Sequence, residues 1–166
     1  MRFDSADLTQ MENSGELQDV IIHEMGHVLG IGTLWDNLGL IIDAGNNNPE
    51  FIGANAMREY ATLKGLSNPT SVPVANTGGQ GTAGGHWRET VFDTELMTGY
   101  DDPGRNALSR LTVASLQDLG YQVNYDQADA YILPFGLLSS LEVSAKAQHQ
   151  CQVLVPDFEI VPDDEI

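Results

Sequence analysis

His23-Glu24-Met25-Gly26-His27 carries two imidazoles four residues apart, with a carboxylate directly after the first. On a helix, positions i and i+4 project from one face, so His23 and His27 can grip a single metal ion while Glu24 stands beside it as a base. That is the equipment of metal-assisted hydrolysis. A zinc ion held by imidazoles makes a bound water acidic, and a nearby carboxylate takes the proton. Two histidines that merely line a surface helix would be spelled the same way. Catalytic zinc takes three protein ligands and keeps a fourth position for water, so the pair needs one more donor from elsewhere in the chain.

Cys151 is the only cysteine, which excludes an internal disulfide and leaves histidine and carboxylate as the ligand types. His86 and His149 are the two remaining histidines. His86 ends a connection over residues 65–86 that contains Pro69, Pro73 and glycines at 78, 79, 81, 84 and 85, and long connections of this kind are commonly functional. A mobile backbone there can be drawn in to close a site, and Trp87 beside the histidine offers a large apolar anchor. His149 lies in a polar, Gln-rich tail. His86 is therefore the favoured third ligand, with Glu59, Glu89, Asp93 and Glu95 as chemically possible donors.

The elements that must position these groups follow from periodicity and punctuation. A short helix is expected over residues 5–13, stopped by Gly15, and a longer one over 17–29. On the longer helix Leu17, Val20, Ile21, Val28 and Leu29 form an apolar face that sets His23 and His27 on the neighbouring stripe. Gly30 stops it and lets the backbone turn sharply away beneath a metal. Residues 31–42 are apolar, interrupted by Gly32 and Gly39. The polar loop 43–49 is turn material that could hold Ca2+, although its spacing does not match an EF-hand. Helices are expected over 51–64, with Ile52, Ala56, Tyr60 and Leu63 on one side, and over 110–119, capped by Ser109 and Gly120. Strand-like sequence follows at 121–125. Val20, Ile21, Leu29, Met97, Leu111, Leu116 and Leu119 are candidates for a shared core.

A chain of 166 residues with 42% hydrophobic content is expected to form one globular domain. Its formal charge of -17 opposes phosphate backbones and anionic lipid surfaces, which argues against nucleic-acid and membrane-surface partners. No apolar run reads as a signal peptide or a transmembrane segment.

The pattern resembles the leishmanolysin-like zinc metallopeptidases of the metzincin clan. Short-form metzincins place a third histidine where this chain has Thr33, whereas leishmanolysin-like enzymes keep the first part of the motif, through Gly30, and bring that histidine from far downstream. His86-Trp87, eleven residues before Met97 in Glu95-Leu96-Met97-Thr98-Gly99, is similar to their late histidine and Met-turn. The segment from Leu108-Ser109-Arg110-Leu111-Thr112 through Asp118-Leu119-Gly120-Tyr121 resembles the helix that follows. The similarity covers about residues 3 to 131.

The resemblance implies that His23, His27 and His86 are zinc ligands, Glu24 is the general base, Met97 forms an apolar floor under the metal, and Gly30 supports the turn beside it. It assigns Tyr100 no catalytic part. The implied fold class is α+β, the helix-dominated lower subdomain of a metzincin-like zincin with long loops and few short strands. Residues 1–140 would be a partial catalytic domain, its N-terminal sheet missing or reduced because only 22 residues precede His23, and residues 141–166 an acidic extension, linker or edge hairpin. The implied activity is zinc-dependent endopeptidase hydrolysis of a protein or peptide substrate, in a secreted or cell-surface setting. A non-catalytic zinc-binding or interaction module is the alternative, as is an unrelated hydrolase with a carboxylate as third ligand.

Overall fold

A computed structural model describes residues 5–79 and 81–134. The described chain is α+β, with helices around a small sheet. Helices α1 (Ser5–Ser14) and α2 (Leu17–Val28) are joined at Gly15, whose φ of +81° is the left-handed stop expected there. Helix α5 (Arg110–Asp118) starts at Ser109, whose hydroxyl accepts the Thr112 backbone N–H at 3.4 Å, and ends before Gly120. All three helices match their sequence expectations to within one residue.

The helix expected over 51–64 begins later, as α3 (Ala54–Leu63). Phe51 belongs instead to β2 (Glu50–Phe51), the central strand between β1 (Ile41–Ile42) and β3 (Val72–Pro73), antiparallel to both. The start of α3 is fixed from the end of α5, because the Asp118 carboxylate accepts the backbone N–H groups of Asn55 and Ala56, each at 2.9 Å. A four-residue helix, α4 (Glu89–Phe92), is too short to show a helical period and was not expected. Residues 121–125 form no strand. Among the described residues they have no ladder partner, and the Asn124 side chain instead accepts the Asp126 N–H to start a 3-10 turn at Tyr125–Gln127.

The core is aromatic. Trp35, Phe51, Trp87 and Phe92 are fully buried, and the Trp35 ring centroid lies 4.7 Å from Trp87 and 4.9 Å from Phe51. Ile31, Val72, Val74 and Leu111 pack around them. Of the residues expected in the core, Met97 and Leu111 are buried, and Leu116 and Leu119 lie half-buried against it. Val20 and Ile21 are only half-buried and Leu29 is exposed. The orientation of α2 is the reason: its buried residues are His23, Gly26 and His27, while Val28 is 73% exposed. The helix turns its histidine stripe inward and the apolar stripe outward.

The described part of the connection 65–86, all but Gln80, is held by hydrogen bonds rather than loose. It folds back on itself, with the Ala75 N–H on the His86 carbonyl and the Gly84 N–H on the Ala75 carbonyl, both at 2.8 Å. His149 and the extension expected over 141–166, with its boundary, lie outside the described residues.

Candidate metal centre

One turn of α2 separates His23 from His27, and the folded-back 65–86 connection brings His86 against both. The three Nε2 atoms stand 2.9 Å (His23 to His27), 3.1 Å (His27 to His86) and 3.3 Å (His23 to His86) apart. Each outer nitrogen meets a backbone carbonyl: His23 Nδ1 donates to Leu96 at 2.7 Å, His27 Nδ1 to Ile31 at 2.9 Å and His86 Nδ1 to Thr82 at 3.1 Å. A carbonyl can only accept, so each Nδ1 carries the ring proton. In a neutral ring Nε2 then holds a lone pair, and three lone pairs face one another inside the protein. A cation between them relieves that repulsion. Three nitrogens at zinc-ligand distance in a tetrahedron stand about 3.3 Å apart, so the donor set fits zinc.

Burial favours the neutral rings. All three histidines are buried, and loss of hydration lowers the pKa of each. For His27 burial and then the neighbouring His23 bring it down to about 4. His86 lies well below the usual imidazole value through burial, then His27 and His23. Glu24, half-buried next to His23, pulls the other way on His27.

Two glycines make the approach possible. A Cβ on Gly32 would sit 2.0 Å from the Gly85 carbonyl oxygen, so only glycine lets the segment after α2 pass against the backbone that carries His86. A Cβ on Gly26 would lie 2.9 Å from Met97 Sδ, which seats the buried Met97 thioether against α2 between the two histidines. The Trp87 N–H donates to the Met97 carbonyl at 2.9 Å, lacing the two segments together. Gly30, at φ +111°, ends the helix as expected. Thr33 donates to the His27 carbonyl at 2.9 Å and so closes the end of α2.

The structure thus brings His23, His27 and His86 together, with Glu24 and Met97 adjacent. The alternative carboxylates go elsewhere. Glu59 pairs with Arg110 at 3.0 Å, Glu89 and Asp93 gather with Asp102 in a separate group, and Glu95 is buried in a network of its own. Tyr100 is half-buried. Asp43 is the only carboxylate of the 43–49 loop and joins neither the carboxylate nor the histidine group, so the described residues lend calcium there no support. Sequence reasoning missed Gly26, Gly32 and the three carbonyls. The two glycines were visible as letters, but the carbonyls carry no side-chain signature.

A family model described as leishmanolysin, of the M8 peptidases, matches residues 1–152. The chain belongs to the leishmanolysin family. It is 29% identical over 121 residues to a leishmanolysin homolog of Crithidia fasciculata, covering 66% of this chain and 18% of that protein. It is likewise 29% identical over 125 residues to leishmanolysin of Leishmania donovani, covering 70% and 20%. The chain therefore spans about a fifth of the length of these curated relatives. The leishmanolysin family is a family of zinc metallopeptidases. Among its described residues no helix is long and apolar enough to cross a membrane.

Proposed function

We propose that this chain contains the catalytic centre of a zinc-dependent endopeptidase, with His23, His27 and His86 as the ligands and Glu24 as the general base. The observation that carries the reading is the convergence of three buried Nε2 lone pairs, each oriented by a main-chain carbonyl on the far side of its ring. Zinc held there supplies an acidified water and polarises a peptide carbonyl. Glu24 accepts the proton of that water and passes it to the departing amine. Met97 gives the imidazoles a soft packing surface, and Gly30 turns the chain away after α2. Within a leishmanolysin, residues 1–140 correspond to a metzincin-like lower subdomain, the substrate is a protein or peptide, and the setting is secreted or cell-surface.

The test is zinc stoichiometry measured beside cleavage of unfolded casein, with and without a chelator. One zinc per chain together with chelator-sensitive cleavage is the expected result. Stoichiometric zinc without cleavage transfers the chain to the class of non-catalytic zinc-binding modules, and absence of zinc overturns the reading of the three histidines.

A further inference from the structure

Glu95 is fully buried and lies outside the three-histidine group, yet it joins the turn that carries Met97 to the start of α5. Its Oε2 accepts the Met97 backbone N–H at 2.7 Å. Its Oε1 accepts the Ser109 hydroxyl at 2.6 Å, the Thr112 hydroxyl at 2.5 Å and the Ser109 N–H at 3.3 Å. Each of these hydroxyls has a second partner. The Ser109 hydroxyl oxygen also accepts the Thr112 N–H, and the Thr112 hydroxyl oxygen the Trp87 indole N–H at 2.8 Å, which leaves each hydroxyl proton available to an ionised Glu95. Four donors converge on Glu95, which as a carboxylate only accepts. Burial raises the Glu95 carboxyl above its ordinary value, and these same donors offset part of that rise.

This network ends at the candidate ligands. Leu96, the next residue, presents the carbonyl that takes His23 Nδ1–H at 2.7 Å. Met97 places its thioether against Gly26 between the two helix histidines. Trp87, reached through Thr112, follows His86 directly. We infer that Glu95 is a positioning residue of the metal centre: its carboxylate holds the 95–97 turn so that the Leu96 carbonyl fixes the His23 ring in its metal-binding tautomer and orientation. The role rests on the three histidines binding zinc. It differs from plain structural support, which would lower the stability of the chain and leave the zinc affinity of the folded protein unchanged.

The test uses the 166-residue chain and Glu95→Gln, which keeps the shape but turns one acceptor into a donor facing donors. Zinc affinity is read by competition with a chromophoric chelator, and the Nδ1–H signals of the zinc-free protein by ¹⁵N NMR. Expected are an affinity about 10- to 100-fold weaker and a displaced His23 Nδ1–H signal, while the His27 signal, bonded to Ile31, stays in place. Asp118→Asn is the control: it weakens the cap of α3, lowers stability, and leaves zinc affinity unchanged. Zinc binding by Glu95→Gln within about twofold of wild type, or equal displacement of the His23 and His27 signals, overturns the inference. If Glu95→Gln does not fold, Thr112→Val removes one donor, and a roughly threefold loss of zinc affinity is expected; no loss overturns the role. A wild-type chain that binds no zinc overturns the metal reading itself, whereas a zinc-binding wild type with an unaffected variant overturns only the part given to Glu95.

Discussion

Gly32 and Gly85 pass so close that a Cβ on the first would lie 2.0 Å from the carbonyl oxygen of the second. The residue after Gly85 is His86, so this approach sets how deeply the third imidazole reaches toward α2. Gly32 also has φ +71°, a conformation that penalises any L side chain.

Gly32→Ala therefore combines a backbone clash with left-handed strain. A loss of about 2–4 kcal/mol of stability is expected, together with weaker zinc binding because His86 must retreat. Denaturant unfolding and zinc competition check the two effects. Unchanged zinc affinity in the folded variant would mean that the approach does not govern His86.

Glu24→Gln separates binding from chemistry. The variant is expected to keep stoichiometric zinc and lose about 10²- to 10⁴-fold in peptide cleavage, whereas His27→Ala is expected to lose the metal as well. Zinc content and turnover measured on the same samples decide the point. Substantial peptidase activity in zinc-loaded Glu24→Gln would remove Glu24 from the role of base.

The buried imidazoles make the stability of the zinc-free chain pH-dependent. In the folded state their pKa values lie below 6.5, His27 at about 4. As pH falls below 6.5 the unfolded chain takes up protons that the folded chain does not, so the stability present above that pH is progressively lost through the folded values. Relief of repulsion among the 24 acidic residues acts in the opposite direction. The histidine share is therefore read as a difference: between pH 7.5 and 4.5, urea midpoints should fall more steeply for wild type than for His27→Asn. Equal slopes would contradict the depressed His27 value.

Met97→Ala empties the space beside Gly26. A buried methionine cut to alanine is expected to cost about 2–5 kcal/mol, and Met97→Leu less than about 1.5 kcal/mol. Urea titration of both variants tests this, and a small cost for alanine would show that the neighbouring turn collapses to fill the gap.

The lengths of α1, α2 and α5 were legible because glycines at 15, 30 and 120 and the Ser109 cap mark their ends. The inward face of α2 was not. Apolar periodicity pointed to Leu17, Val20, Ile21, Val28 and Leu29, of which the first three are half-buried and the last two exposed, while full burial falls to His23, Gly26 and His27, which hydrophobicity does not recognise as a core face. The real core, Trp35, Phe51, Trp87 and Phe92, comes from separate segments with no shared period, so it emerges only in three dimensions. His86 was legible as a favoured ligand through the glycine-rich approach and its spacing from Met97. The Glu95 network escaped because a carboxylate near a presumed metal reads first as a donor, and only the buried hydroxyls around it reveal another use.

Each imidazole is anchored from behind by a main-chain carbonyl, that of residue 31, 82 or 96. The anchoring bonds thus depend on the local course of the polypeptide, while the side chains of Ile31, Thr82 and Leu96 are held by burial for a separate reason. Adding or deleting a single residue in any of the three segments would rotate a ring, so indels there should damage the centre more than most exchanges of amino acid.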